Sequence, residues 1–139
     1  MGFSSLYESG EKAKYRGHYR NLLLIARADG EIDEQEQALL NRIASRIGLT
    51  EGQVNEIKKN PLNFPTVAPS TREERYERFI QLMQMVAING EAEPNELKLV
   101  RKYGIALGFT DESMNEKFDV ILSHLMDGKS RSEVLDAVL

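Results

Sequence analysis

Apolar side chains recur along this chain at the three-and-four spacing of helices that bury one face. In the first half the stripe contains Tyr15, Tyr19, Leu22, Leu23 and Ala26, and comparable stripes follow in the second half. No window shows the sustained apolar–polar alternation, flanked by turn residues, that is typical of a strand. The sequence therefore predicts an all-α fold, a single compact bundle of about seven helices.

Glycine and capping residues mark where the first helices end and begin. We expect the first helix to end at Ala28-Asp29-Gly30, with Gly30 in the left-handed conformation that often follows a last helical turn. Asp33, with Glu36 three residues later, makes the capping-box pattern that begins a second helix. Thr50 begins a third helix in the same way.

The chain is similar to itself at an offset of 60 residues. Without a gap, residues 21–50 align with residues 81–110 at seven identical positions, which fall on glycines, caps and apolar sites. The sequence thus predicts an internal duplication within one domain that spans 1–139. Its parts are repeat one at about 11–60, a connector at 60–69, repeat two at about 70–124 and a C-terminal helix at about 130–139.

The connector between the repeats holds three of the four prolines. Leu62, Phe64 and Val67 offer apolar side chains for packing, so we expect a rigid connector rather than a flexible linker. Ser70 and Glu73 form the capping pattern that we expect to begin the next helix.

Composition narrows the classes of function. The 139 residues include no cysteine, which excludes disulfides, thiolate metal sites and a cysteine nucleophile. The net charge of -4 argues against a nucleic-acid partner, since such proteins present a basic surface. No apolar run approaches the length of roughly 20 residues that a membrane span requires. We therefore expect a cytoplasmic protein without a transmembrane segment.

The turn after the first helix concentrates carboxylates. Asp29, Glu31, Asp33 and Glu36 are candidate ligands of a divalent cation, calcium or magnesium, because such cations prefer carboxylate and carbonyl oxygens. The spacing is not that of an EF-hand loop. A structural interpretation stays open, because acids at a helix N-terminus stabilise the helix without any metal. Asp29 fits that interpretation least, since it lies at the C-terminal end of the preceding helix.

The corresponding turn of repeat two has less negative charge. Asn89 stands where repeat one has Asp29, and Glu91, Glu93 and Glu96 follow. Whether this turn keeps a cation site is left open by the sequence. If a cation binds, the turn of repeat one is the better site.

The sequence offers no recognisable catalytic constellation. Its two histidines, His18 and His124, lie away from the carboxylate clusters, and it has neither a nucleophile elbow nor a glycine-rich phosphate loop. We therefore expect a non-enzymatic module that interacts with a protein partner. Two alternatives remain: a purely structural bundle without metal, and a metal-dependent, hydrolase-like enzyme that uses the same acids.

The segment Ala26-Arg-Ala-Asp-Gly-Glu-Ile-Asp-Glu-Gln-Glu36, followed by a helix that ends at Ile47-Gly48-Leu49, resembles the TerB-like (tellurite resistance protein B) family. The resemblance implies an all-helical, cytoplasmic protein with a role in stress response, in some members within membrane-associated complexes. It also implies that clustered acids bind a divalent metal. Asp29 and Glu36 match the motif itself, whereas Glu31 and Asp33 lie in the matching turn.

Overall fold

The computed structural model describes the backbone of residues 3–139 except 29, 89 and 91, and the side chains from residue 12 onward with the same exceptions. Within this part of the chain there are seven α-helices and no strand, which confirms the predicted all-α fold. The helices are α1 (Phe3–Ala26), α2 (Glu34–Arg46), α3 (Glu51–Lys59), α4 (Arg72–Ala87), α5 (Pro94–Ala106), α6 (Asp111–Met126) and α7 (Arg131–Val138), with a short 3₁₀ turn at Pro61–Asn63.

The predicted caps of α2 and α3 are confirmed. Asp33 and Thr50 have extended backbones, and each side chain accepts a hydrogen bond from the amide three residues later. The side chains of Glu36 and Gln53 in turn accept from the cap amides, so both capping boxes are complete. Gly30 has a φ of +117°, in the region that glycine adopts without strain.

The predicted start of α4 is wrong by one residue. Thr71, rather than Ser70, is the N-cap, and its hydroxyl accepts a hydrogen bond from the amide of Glu74 at 3.2 Å. Both residues are followed by a glutamate three positions later, so two overlapping capping patterns stand side by side in the sequence. The fold uses the second pattern.

Helices α1 and α4 form the centre of the bundle. They pack on each other, α2 and α3 pack on α1, and α5, α6 and α7 pack on α4. Tyr19 and Leu22 of α1 and Phe79 and Leu82 of α4 are at most 1% exposed. Burial of their apolar surface is the main stabilising term of the fold.

The connector between the halves lies against α1. Asn21 Nδ2 donates to Thr66 Oγ1 at 2.9 Å, and Arg20 Nε donates to the carbonyl of Phe64 at 2.9 Å. Phe64 packs on the core, but Leu62 is 84% exposed, so the expectation that Leu62 contributes packing is wrong. Leu62 belongs to the 3₁₀ turn, which packs beside α3.

Helix boundaries recur at the offset predicted from the sequence. Helices α2 and α5 have the same length and begin 60 residues apart. Helices α3 and α6 differ in length, but they also begin 60 residues apart. Gly30 and Gly90 both have positive φ values, of +117° and +82°. A common origin of the two halves stays a prediction.

Candidate functional site

The acidic turn of the first half joins α1 to α2. Gly30 allows the chain to reverse there, and its amide donates to the carbonyl of Arg27 at 3.1 Å. Asp29, the predicted ligand on which the functional interpretation depends most, lies outside the described residues. Glu31 follows Gly30 and is exposed to solvent.

The other two predicted ligands form the cap of α2. The amide of Glu36 donates to Asp33 Oδ1 at 2.7 Å, and the amide of Asp33 donates to Glu36 Oε1 at 3.0 Å. Asp33 is exposed, whereas Glu36 is 5% exposed. Hydrogen bonds from backbone amides hold both carboxylates in fixed positions, which stabilises the helix end.

The turn of the second half has the same cap. The amide of Glu93 donates to Glu96 Oε1 at 3.3 Å, and Glu96 is 2% exposed. Asn89 and Glu91 lie outside the described residues. The buried glutamate three residues after the cap is thus common to both halves.

Among the described residues, no group of three or more histidine, cysteine, aspartate or glutamate side chains is placed to hold a metal ion. Because Asp29 and Glu91 are outside that part of the chain, the predicted cation site of Asp29, Glu31, Asp33 and Glu36 stays a prediction. The described geometry brings Asp33 and Glu36 together and leaves Glu31 in solvent.

A buried histidine lies where α1 meets α4. His18 is 3% exposed, and its Nε2–H donates to Gln81 Oε1 at 2.6 Å. Burial, together with the nearby Arg78 guanidinium, lowers the pKa of His18 to about 3. Its ring is therefore neutral near pH 7, and it joins the two halves through an amide rather than through a carboxylate.

A groove between α2, α4 and the start of α7 is the feature that the sequence did not reveal. Two adjoining cavities, of about 130 Å³ and 260 Å³, share the residues Leu39, Arg42 and Gln84. Arg46, Arg131 and Lys129 complete the cationic side chains along its length. We call this feature the cationic groove.

One sequence signal points to the cationic groove. Arg42 and Arg46 are four residues apart, so they lie on the same stripe of α2. No aspartate or glutamate lies three or four residues before or after either arginine, so neither has an acid one helical turn away to neutralise it. An unneutralised arginine pair of this kind marks a charged surface, although only the fold shows that α4 and α7 face it.

Residues 12–59 match the family model of tellurite resistance protein TerB. The match covers most of α1, the first acidic turn, α2 and α3, and it confirms the TerB-like resemblance predicted from the sequence. No curated protein and no solved structure gives a significant match to the chain. None of the described helices is both long enough and apolar enough to cross a membrane.

Proposed function

We propose that this TerB-like chain is a non-enzymatic interaction module of the cytoplasm, which binds a protein partner and holds a divalent cation at the turn between α1 and α2. The observation that carries the proposal is the TerB match, because residues 12–59 contain the entire acidic turn, all of α2 and most of α1. Calcium and magnesium are the cations that fit carboxylate and carbonyl ligands. A role in stress response is part of the same proposal.

The proposed ligands are Asp29, Glu31, Asp33 and Glu36. Glu31 is exposed and has no hydrogen bond or ion pair among the described residues, so its carboxylate is available to a cation. Asp33 and Glu36 are held by the backbone amides of the α2 cap, which fixes the positions of two further carboxylates at the start of α2. A cation there would also offset the negative charge of Asp29, which follows the last residue of α1 by three positions.

A purely structural role of the turn is the alternative with direct support. The reciprocal bonds of Asp33 and Glu36 satisfy the start of α2 without a metal. The second half also has a capping box, at Glu93 and Glu96, with Asn89 in place of Asp29. The hydrolase-like alternative has less support. The ten residues 27–36 contain no histidine, serine or cysteine that could act as base or nucleophile beside a cation.

Isothermal titration with calcium and with magnesium tests the cation site. We expect the parent protein to bind one of these cations and Asp29→Asn to bind it at least about tenfold more weakly, because one anionic ligand is lost. Glu112→Gln, which removes an exposed acid in the first turn of α6, is the control and should leave the affinity unchanged. Absence of binding in the parent, or equal affinity in Asp29→Asn, contradicts the proposal.

The reverse substitution sharpens this test. Asn89→Asp gives the second turn the same charged residue as the first. We expect it to add a second, weaker site to the titration, since Glu91, Glu93 and Glu96 are already present. A stoichiometry that stays unchanged would indicate that the aspartate alone does not make the site.

The interaction role is tested by affinity capture from the native cell, with the parent protein and Asp29→Asn as baits in parallel. We expect a partner on the parent protein and less of it on the variant. Identical partners on both baits would contradict regulation by the turn. Growth of a deletion strain under several stresses, tellurite among them, tests the stress role.

A further inference from the structure

The cationic groove differs from the acidic turn in position and in charge. Arg42 and Arg46 are exposed on α2, and neither makes a hydrogen bond or ion pair with any described residue. Two guanidinium groups without carboxylate partners therefore leave positive charge on the α2 side of the groove. They lie on the wall of an open cavity rather than on a convex surface.

The α2 wall of the groove can be compared with the equivalent face of the second half. At the offset of 60 residues, Ile43 of α2 corresponds to Tyr103 of α5. Tyr103 is 3% exposed, and the guanidinium carbon of Arg20 lies 5.4 Å from the centre of its ring, in a contact that joins α5 to α1. The smaller Ile43 makes no such bridge, and α2 packs on α4 less closely than α5 packs on α1.

The lining combines apolar and polar side chains. Leu39, Ile88 and Leu125 contribute apolar surface, and the amide of Gln84 lies on the α4 side. Of the remaining cations, Arg131 Nη1 is held by Glu77 Oε1 at 2.9 Å, and Lys129 Nζ is 3.9 Å from Glu133 Oε2. The unneutralised charge is therefore concentrated on the α2 wall.

We propose that the cationic groove docks an acidic peptide segment of a partner protein, one that carries at least one apolar side chain. Arginine binds carboxylates through two parallel hydrogen bonds, so Arg42 and Arg46 suit glutamate or aspartate side chains one helical turn apart. The apolar side chain enters between Leu39 and Leu125. The inference rests on the proposed role as an interaction module and gives that partner its chemistry.

The shape of the groove favours a peptide over a lipid surface. A flat anionic membrane would reach the outward-facing guanidinium groups, but it would not reach Leu39, which is 6% exposed at the base. A single segment of chain enters a cleft between two helices, as in other cases of peptide recognition. Charge complementarity and concave shape thus select the same occupant.

Fluorescence anisotropy with a labelled peptide of glutamate and leucine tests the proposal. We expect this probe to bind the parent protein, and a matched peptide with glutamine in place of glutamate to bind at least about tenfold more weakly. The double variant Arg42→Glu/Arg46→Glu should lose at least about tenfold in affinity for the glutamate peptide. Raising the salt concentration should weaken binding to the parent protein.

The second half provides a matched control. Lys98 and Lys102 of α5 are exposed and also four residues apart, and Lys102 corresponds to Arg42 at the offset of 60. Lys98→Glu/Lys102→Glu makes the same change in net charge, and we expect it to weaken binding by less than about threefold, through screened long-range attraction only. All four side chains are on the surface, so we expect both double variants to fold, and circular dichroism is the measurement that checks this.

A charge reversal in the peptide provides the rescue. A lysine and leucine peptide should bind Arg42→Glu/Arg46→Glu more tightly than it binds the parent protein. Equal losses in the two double variants, or equal binding of the glutamine peptide, would overturn the proposal. So would tighter binding to phosphatidylserine vesicles than to the peptide, or displacement of the peptide by equimolar inorganic phosphate.

The two proposals fail in different ways. If the parent protein captures a partner that Arg42→Glu/Arg46→Glu also captures, the groove proposal falls and the interaction module stands. If the parent protein captures no partner, the interaction module falls. Cation binding by Asp29→Asn is measured separately and depends on neither result.

Discussion

The pH dependence of stability offers a direct test of the contact between the two halves. His18 is 3% exposed and neutral, with its pKa lowered from 6.5 to about 3. The unfolded chain takes up a proton on this ring as the pH falls below 6.5, whereas the folded chain does not until about pH 3. Stability from the neutral ring is therefore complete above pH 6.5 and is lost progressively as the pH falls towards 3.

The size of this loss follows from the pKa difference. Each pH unit between the unfolded and folded pKa is worth about 1.4 kcal/mol. At about pH 4.5, two units below the unfolded value, the folded state has lost about 3 kcal/mol relative to neutral pH. That is a large fraction of the stability of an ordinary domain.

The assay compares urea unfolding of the parent protein and His18→Gln from pH 7 to pH 4.5. Glutamine keeps a hydrogen-bonding group towards Gln81 but has no proton to gain, so we expect a flatter curve. At neutral pH the variant should be less stable by about 1 kcal/mol, from lost packing and an altered hydrogen bond. The two curves should therefore cross as the pH falls.

The carboxylates titrate in both proteins, so the difference between the curves is the signal. His124→Gln is the matched control, since His124 bonds through Nδ1 to the carbonyl of Val120 on its own helix. Proton NMR of the ring supplies a second readout, in which the His18 signals should stay constant from pH 8 to pH 5. Parallel stability curves for the parent protein and His18→Gln would refute the reasoning.

Three other substitutions have defined outcomes in urea unfolding. Gly17→Ala places a methyl group against the carbonyl of Pro65. We expect it to displace the connector and to destabilise the protein by about 2 kcal/mol. Unchanged stability would contradict the contact between Gly17 and Pro65. Leu62→Ser, at a site 84% exposed, should change stability by less than about 0.5 kcal/mol. Asp33→Ala, measured with chelator present, should cost about 1 kcal/mol because the amide of Glu36 loses its acceptor, and no loss would show that the cap is dispensable.

Local features of the fold could be predicted from the sequence because they depend on residues close together in the chain. The caps at Asp33 and Thr50 each need one partner three residues away, and both formed as expected. The start of α4 was misplaced only because two such patterns overlap at Ser70 and Thr71. The apolar residues of the connector predicted packing, but the sequence could not determine that the side chain of Leu62 faces the solvent.

Contacts between the halves could not be predicted in the same way. His18 and Gln81 are 63 residues apart, and nothing in the local pattern of either residue identifies the other. The cationic groove likewise requires α2, α4 and α7 to be placed before its arginines face a cavity. For the acidic turn the limit is different, since Asp29 lies outside the described residues and its carboxylate is tested by titration instead.

The two candidate surfaces follow from the same comparison of the halves. At the turns, Asp29 in the first half is replaced by the uncharged Asn89 in the second, which is why we propose the cation site for the first turn. At the faces where the halves meet, Tyr103 of α5 contacts Arg20 of α1, whereas Ile43 of α2 lines the cavity next to α4. Both differences set the α2 side of the molecule apart, because α2 begins at the acidic turn and carries the arginines of the groove.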